Sequence, residues 1–186
     1  MPLNSPAPSR RRLLRSGARL AAAAALPMLA LPARASVPAA RSLAMSHTHT
    51  RERIDLVYAV AQDYLSEALG SLNHFLRDHY TGEVGRMHPP LFDVLHGLRV
   101  ALGCTGPFEI ISGYRCPATN DRLRHTRGGG VAKQSLHMQG RAVDVRLPGV
   151  PLAELRDAAI ALRAGGVGYY PDSRFVHLDT GRVRSW

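Results

Sequence analysis

Apolar residues along the chain change their spacing several times, and each change marks an element. From Ile54 they recur at steps of three and four (Ile54, Val57, Tyr58, Ala61, Leu65, Ala68, Leu69, Leu72, Leu76), the spacing that lines one face of an α-helix. A second helical stretch runs from Pro90 to Leu102, with Leu91, Val94, Leu95, Leu98 and Leu102 inward. Gly103 follows, where a helix end favours a residue tolerant of positive φ. Phe108–Ile111 reads as a short strand ending in Ser112-Gly113-Tyr114-Arg115, and Pro117 starts a brief helix toward Leu123. Residues 126–135, with Gly128-Gly129-Gly130, read as a mobile loop. Arg141–Arg146 alternates cleanly as a strand, and a helix follows from Pro151 through Leu162 to Gly165-Gly166. Val167–Tyr170 and Phe175–Asp179 are two further strands, joined by a turn at Pro171-Asp172. Helices early and short strands late predict an α+β domain: a small, largely antiparallel sheet with helices packed on one side.

The first 51 residues do not fit that domain. Residues 1–35 read as an export signal: a basic region, an apolar run Leu20–Leu31, and Ala33-Arg34-Ala35 as a small-x-small cleavage site. Twelve residues interrupted by Pro27 are too short to span a bilayer of ~30 Å as a helix, so no membrane span is expected after signal removal. Ser9-Arg10-Arg11-Arg12-Leu13-Leu14-Arg15 resembles a twin-arginine export signal, which implies passage to the periplasm in the folded state. Residues 36–51 show no periodicity and read as a flexible linker, with His47 and His49 on a solvated tail; residues 52–186 form the domain.

Charge adds less than it first promises. The formal net charge of +10 suggests nucleic acid, but six of the 24 basic residues lie in the first 35 positions, where there is no acid. The remainder carries 18 basic against 14 acidic residues, a net of +4, and the nucleic-acid reading fades. Arg122, Arg124 and Arg127 cluster beside the glycine loop and read as a solvated face. Cys104 and Cys116 are a candidate disulfide in an oxidising compartment; two small buried hydrophobes are the alternative.

The chemistry concentrates in two stretches. In Ser135–Asp144, His137 precedes a strand, Gly140 turns the chain into it, and Asp144 points away from the apolar face of Val143 and Val145. In Phe175–Asp179, His177 and Asp179 share the face opposite Val176 and Leu178. His137, Asp144 and His177 would give Zn²⁺ three ligands and leave a fourth position for water, the mark of a catalytic site. Asp179 is placed to act as general base, with Asp172 as runner-up, and Arg115 to meet an oxyanion or a substrate carboxylate. Ser135 and Gln134 are candidates to orient ligands; Tyr114, Tyr169 and Tyr170 are candidates to line a groove. His74, His79, His88, His96 and His125 read as surface or packing residues. Taken singly, each of these has a bland structural explanation; their strength is joint.

Ser135-x-His137-x-x-Gly140-x-Ala142-x-Asp144 resembles the signature of the D-alanyl-D-alanine-carboxypeptidase-like zinc peptidases, whose scaffold also occurs in hedgehog-type domains. Ser112–Arg115 and Phe175–Gly181 follow in the family's order, and Gly165–Pro171 is similar to its murein endopeptidase K branch. The resemblance covers about Ile54 to Trp186. It implies zinc held by His137, Asp144 and His177, and hydrolysis of D-alanyl or diaminopimelyl cross-links between peptidoglycan stem peptides by a monomer. The dipeptidase relatives carry a catalytic Glu three residues before the last histidine, where this chain has Arg174. Trimming of free stem ends by a carboxypeptidase or dipeptidase, and a non-catalytic zinc-containing wall-binding module, stay open as alternatives.

Overall fold

The computed structural model describes residues 39–126 and 131–186; the expected leader at 1–35 and residues 127–130 of the expected glycine loop lie outside them. Contacts gather Val37–Trp186 into one compact unit. Among the described residues, no helix is long and apolar enough to cross a membrane.

Among the described residues, eight strands form one sheet: β1 (Ala40–His47), β2 (Arg53–Val60), β3 (Asp63–Tyr64), β4 (Phe108–Ser112), β5 (Ala142–Arg146), β6 (Gly166–Tyr170), β7 (Phe175–Asp179) and β8 (Arg184–Ser185). Their spatial order is β3-β2-β1-β4-β5-β7-β6-β8, antiparallel except for the β1/β4 and β6/β8 pairs. The α+β class and the largely antiparallel sheet agree with the sequence pattern, but the sheet is larger than expected. Helices α1 (Ser66–Phe75), α2 (Pro90–Ala101) and α4 (Leu152–Leu162) feed the buried core; α3 (Pro117–Thr126) contributes no apolar residue to it.

Two expectations fail at the N-terminal side for one reason. Residues 39–51 are not a linker, because Ala40–His47 is β1, paired with β2 on one side and β4 on the other; residues 36–38 of the expected linker lie outside the described residues. The run from Ile54 is not helical until Ser66, because its first part is β2. Ile54, Leu56 and Tyr58 alternate with Arg53, Asp55 and Val57, so a period of two coexists there with the period of three and four. Burial of Leu43 and Met45 against β2 and β4 decides between them. Asp93 of α2 then ties the hairpin down, accepting from Tyr58 Oη (2.8 Å) and Arg41 Nη1 (2.6 Å).

The same rearrangement buries His47, which is 2 % exposed rather than on a solvated tail. Its Nδ1 accepts from the backbone N–H of His49 (3.2 Å) and Thr50 (3.4 Å), closing the β1–β2 turn. His49 stacks on His79 with ring centroids 4.1 Å apart. Burial, then the neighbouring His79 and His49, lowers His47 from 6.5 to about 4. Burial, then His49, lowers His79 to about 4. The unfolded chain protonates both below 6.5 and the folded chain only near 4, so stability is full above 6.5 and is lost as pH falls toward 4. Melting temperature is expected to fall across that window, and the His47→Gln/His79→Gln double variant to flatten the fall. Identical slopes for the two proteins would remove these histidines from the explanation.

Candidate metal centre

Strand pairing builds the centre. In the antiparallel β5/β7 ladder Asp144 stands directly opposite His177, and on the other side of β5 it faces Ser112 of β4. His137 arrives from a single 3-10 turn, Leu136–Gln139, capped by the Ser135 side chain, which accepts from the His137 N–H at 3.4 Å. Gly140 ends that turn at φ 65°, and a Cβ there would stand 2.0 Å from the Arg86 carbonyl oxygen. Only glycine meets both conditions, and this sets the reach of His137 toward β5.

His137 Nε2, His177 Nδ1 and an Asp144 oxygen converge: Nε2 to Nδ1 is 3.2 Å, Nδ1 to Oδ1 is 2.8 Å, and Nε2 to Oδ1 is 3.3 Å. The outward nitrogens fix the tautomers. His137 Nδ1 lies 2.7 Å from the Gly113 carbonyl oxygen and His177 Nε2 lies 3.3 Å from Asp179 Oδ2, both acceptors, so both nitrogens donate. In its neutral form each imidazole therefore turns a lone pair toward the same point as a carboxylate oxygen. Such a convergence could hold a cation, and its nitrogen and oxygen donors are of the kind zinc takes.

The electrostatics keep the carboxylate ionised. Burial would lift the Asp144 carboxyl, but His137 and His177 outweigh it and hold it far below the usual carboxylate range. Burial would lower His177, yet the hydrogen bonds it donates to Asp144 and Asp179 raise it to about 9, so near neutral pH its Nδ1 carries a proton that a bound cation would replace. Arg115, only 9 % exposed, donates from Nη2 to Asp144 Oδ2 (3.2 Å) and from Nε to Ser112 Oγ (3.4 Å).

Asp179 is fully enclosed. Its Oδ1 accepts from the N–H groups of Gly166 (3.0 Å) and Gly181 (2.7 Å), and Arg184 reaches both oxygens, with Nη2 2.7 Å from Oδ2. Burial raises its pKa, but His177, Arg184 and the two backbone donors prevail and hold it well below the usual range.

The centre opens onto a groove also lined by Gln134, Ser135, Tyr170, His49, His79 and Trp186. Tyr114 departs from expectation: its ring packs over Gly85, its hydroxyl donates to Glu83 (3.0 Å), and it does not line the groove. Tyr169 is likewise outside that groove, under the Arg156 guanidinium. Asp172 sits in the exposed β6–β7 turn. Cys104 and Cys116 are unpaired thiols rather than a disulfide. Cys116 Sγ accepts from the Thr119 N–H (3.4 Å) at the start of α3, and Cys104 Sγ donates to the Leu102 carbonyl (3.4 Å). Sequence reasoning missed Arg184, Trp186, His49 and His79 as groove residues. For the first two the available signal was alternation: Arg184 and Trp186 share one side of a short terminal strand.

A buried His–Asp–His donor set that could hold a metal ion thus lies at the base of a groove on a mixed sheet. Residues 35–186 match the family described as "Peptidoglycan L,D-endopeptidase MepK", and the chain belongs to that family. It is therefore a peptidase. The Escherichia coli K12 protein named "Peptidoglycan L,D-endopeptidase MepK" is 44% identical over 178 residues, covering 96% of this chain and 97% of the relative. The Haemophilus influenzae "Probable peptidoglycan L,D-endopeptidase MepK" is 40% identical over 152 residues, 81% of each chain. Among solved structures, Serratia marcescens L-Ala D-Glu endopeptidase ChiX matches 52% of this chain and 68% of its own, at 23% identity and a TM-score of 0.34.

Proposed function

We propose that the chain is a monomeric, zinc-dependent endopeptidase that hydrolyses peptide cross-links of peptidoglycan in the periplasm, reached by twin-arginine export. The observation that carries the reading is the convergence of two imidazole lone pairs and one carboxylate oxygen beneath an open groove, in a chain 44% identical to a peptidoglycan L,D-endopeptidase. Exposed aromatic residues among the groove's lining, Tyr80 at 45% and Trp186 at 51%, favour a substrate that runs through the groove over a free chain end held in a closed pocket.

Zinc held by His137, Asp144 and His177 would supply Lewis acidity and an activated water with a pKa of ~7. Asp144 brings negative charge to the ion, and Arg115 holds its second oxygen in place. Arg115, on the groove wall, is also placed to draw in a substrate carboxylate or to offset charge developing on the scissile carbonyl oxygen. Asp179 is assigned a positioning role: its oxygens are occupied by donors and its side chain has 0% exposure, so it orients His177 instead of receiving a proton from water. At a water pKa of ~7 a separate carboxylate base is not required near neutral pH.

Cross-linked muropeptides incubated with the protein are expected to yield monomers, a chelator to stop the reaction, and added zinc to restore it. Absence of cleavage with every divalent metal tried would overturn the peptidase assignment in favour of a binding module.

A further inference from the structure

The tryptophan of this chain is spent on the groove, and it is the only one in the sequence. Its backbone continues the β6 edge: the Trp186 N–H donates to the Val167 carbonyl (3.2 Å), and the Tyr169 N–H donates to the Trp186 carbonyl (3.0 Å). The side chain is fixed as well. The indole N–H donates to Tyr170 Oη (2.9 Å), the Arg184 guanidinium lies 4.7 Å from the ring, and the His177 ring centroid is 5.4 Å away. Gly168, the register partner of His177, makes room for the indole: a Cβ there would stand 2.7 Å from Trp186 Cζ2 and 2.9 Å from Tyr170 Cε2.

This much fixation is unusual for a ring that stays half exposed beside a metal ligand. A tethered, half-exposed aromatic ring offers apolar contact at little cost in side-chain entropy. The neighbouring floor of the groove is ionic, with Asp144 and Arg115, and Trp186 is the aromatic ring that stands against His177 beside it, so it offers carbon chain a surface to pack on there. A residue that joins two stem peptides must carry a second amine, and in a diamino acid that amine stands at the end of a polymethylene chain.

We propose that Trp186, bedded on Gly168 and held by Tyr170 and Arg184, is a substrate-binding residue that packs the polymethylene chain of the cross-linking diamino acid beside the scissile amide. The inference rests on the peptidoglycan-peptidase reading above.

Four zinc-loaded proteins test it: wild type, Trp186→Ala, Trp186→Phe and Gly168→Ala, assayed on diaminopimelate-cross-linked muropeptides with metal content measured in each. Trp186→Ala is expected to raise KM about tenfold with kcat within about threefold and zinc unchanged, and Trp186→Phe to stay within about threefold of wild type in KM. Gly168→Ala should raise KM in the same direction by displacing the indole. Because Trp186 is the sole tryptophan, its emission should shift when wild type is titrated with the monomeric muropeptide product, which binds without turnover. An unchanged KM in Trp186→Ala alongside active wild type overturns the platform and leaves the peptidase reading intact. Loss of zinc in Trp186→Ala and Trp186→Phe alike overturns it in favour of mere support for His177. No cleavage by wild type sinks the peptidase reading instead, and the emission titration then decides the platform by itself.

Discussion

Asp144→Asn is expected to abolish metal binding and to reduce turnover on the order of a thousandfold or more. The argument begins with charge. Asp144 is the carboxylate of the converging donor set, and Arg115 already holds its other oxygen. An amide in its place presents a neutral oxygen or an N–H to a point that two lone pairs already share, so nothing there compensates a divalent ion. A second effect separates this variant from other ligand losses. Asp144 is also the buried partner of Arg115, and removing one member of a buried ion pair costs ~3–5 kcal/mol. For a chain of this size that is a fall of roughly 10 °C in Tm. His137→Gln removes a ligand but spares the Arg115–Asp144 pair. Metal content should therefore collapse in both variants, while the chelator-treated proteins should melt well apart, with Asp144→Asn lower. Equal melting temperatures would show that Arg115 draws no stability from Asp144. Full metal content in Asp144→Asn would remove it from the ligand set.

How much of this was legible in the sequence depended on whether a single period was present. Arg141–Arg146 and Phe175–Asp179 alternate without ambiguity, so the faces of Asp144 and His177 followed from the spacing, and the ladder places the two directly across from each other. Pro90–Ala101 carries an undiluted helical period bounded by proline and glycine, and it is α2. Ile54–Tyr58 satisfies both periods at once, and only a long-range partner, β1, resolves it. That partner was itself hidden, because Leu43 and Met45 alternate with alanine and serine and offer little apolar contrast. Missing β1 also hid the burial of His47 and the stacking of His49 on His79, which come from elements far apart in sequence. The enclosure of Asp179 failed to follow from spacing for a different reason. Alternation places a side chain on a face, but it does not count the donors that other segments bring. Here those donors are the Gly166 and Gly181 N–H groups and the Arg184 guanidinium.

That donor count gives the second large effect. Asp179→Asn is expected to weaken zinc binding by about 10–100-fold, with kcat at saturating zinc staying within about tenfold of wild type. The amide can still accept from the Gly166 and Gly181 N–H groups through one oxygen, but its NH₂ then faces Arg184 and the His177 Nε2–H, both donors. His177 is free to reorient or to change tautomer, and either turns the Nδ1 lone pair away from the ion. Arg184→Ala should act in the same direction but less, because the two backbone donors and His177 still fix the carboxylate. A general base gives the opposite pattern: zinc retained, kcat reduced by ~10²–10⁴, and the acid limb of the pH–rate profile lost. Zinc affinity and kcat measured on the same variant therefore assign the residue. If zinc binds Asp179→Asn as tightly as wild type while turnover disappears, the carboxylate takes a proton during the reaction and its enclosure must open when substrate binds.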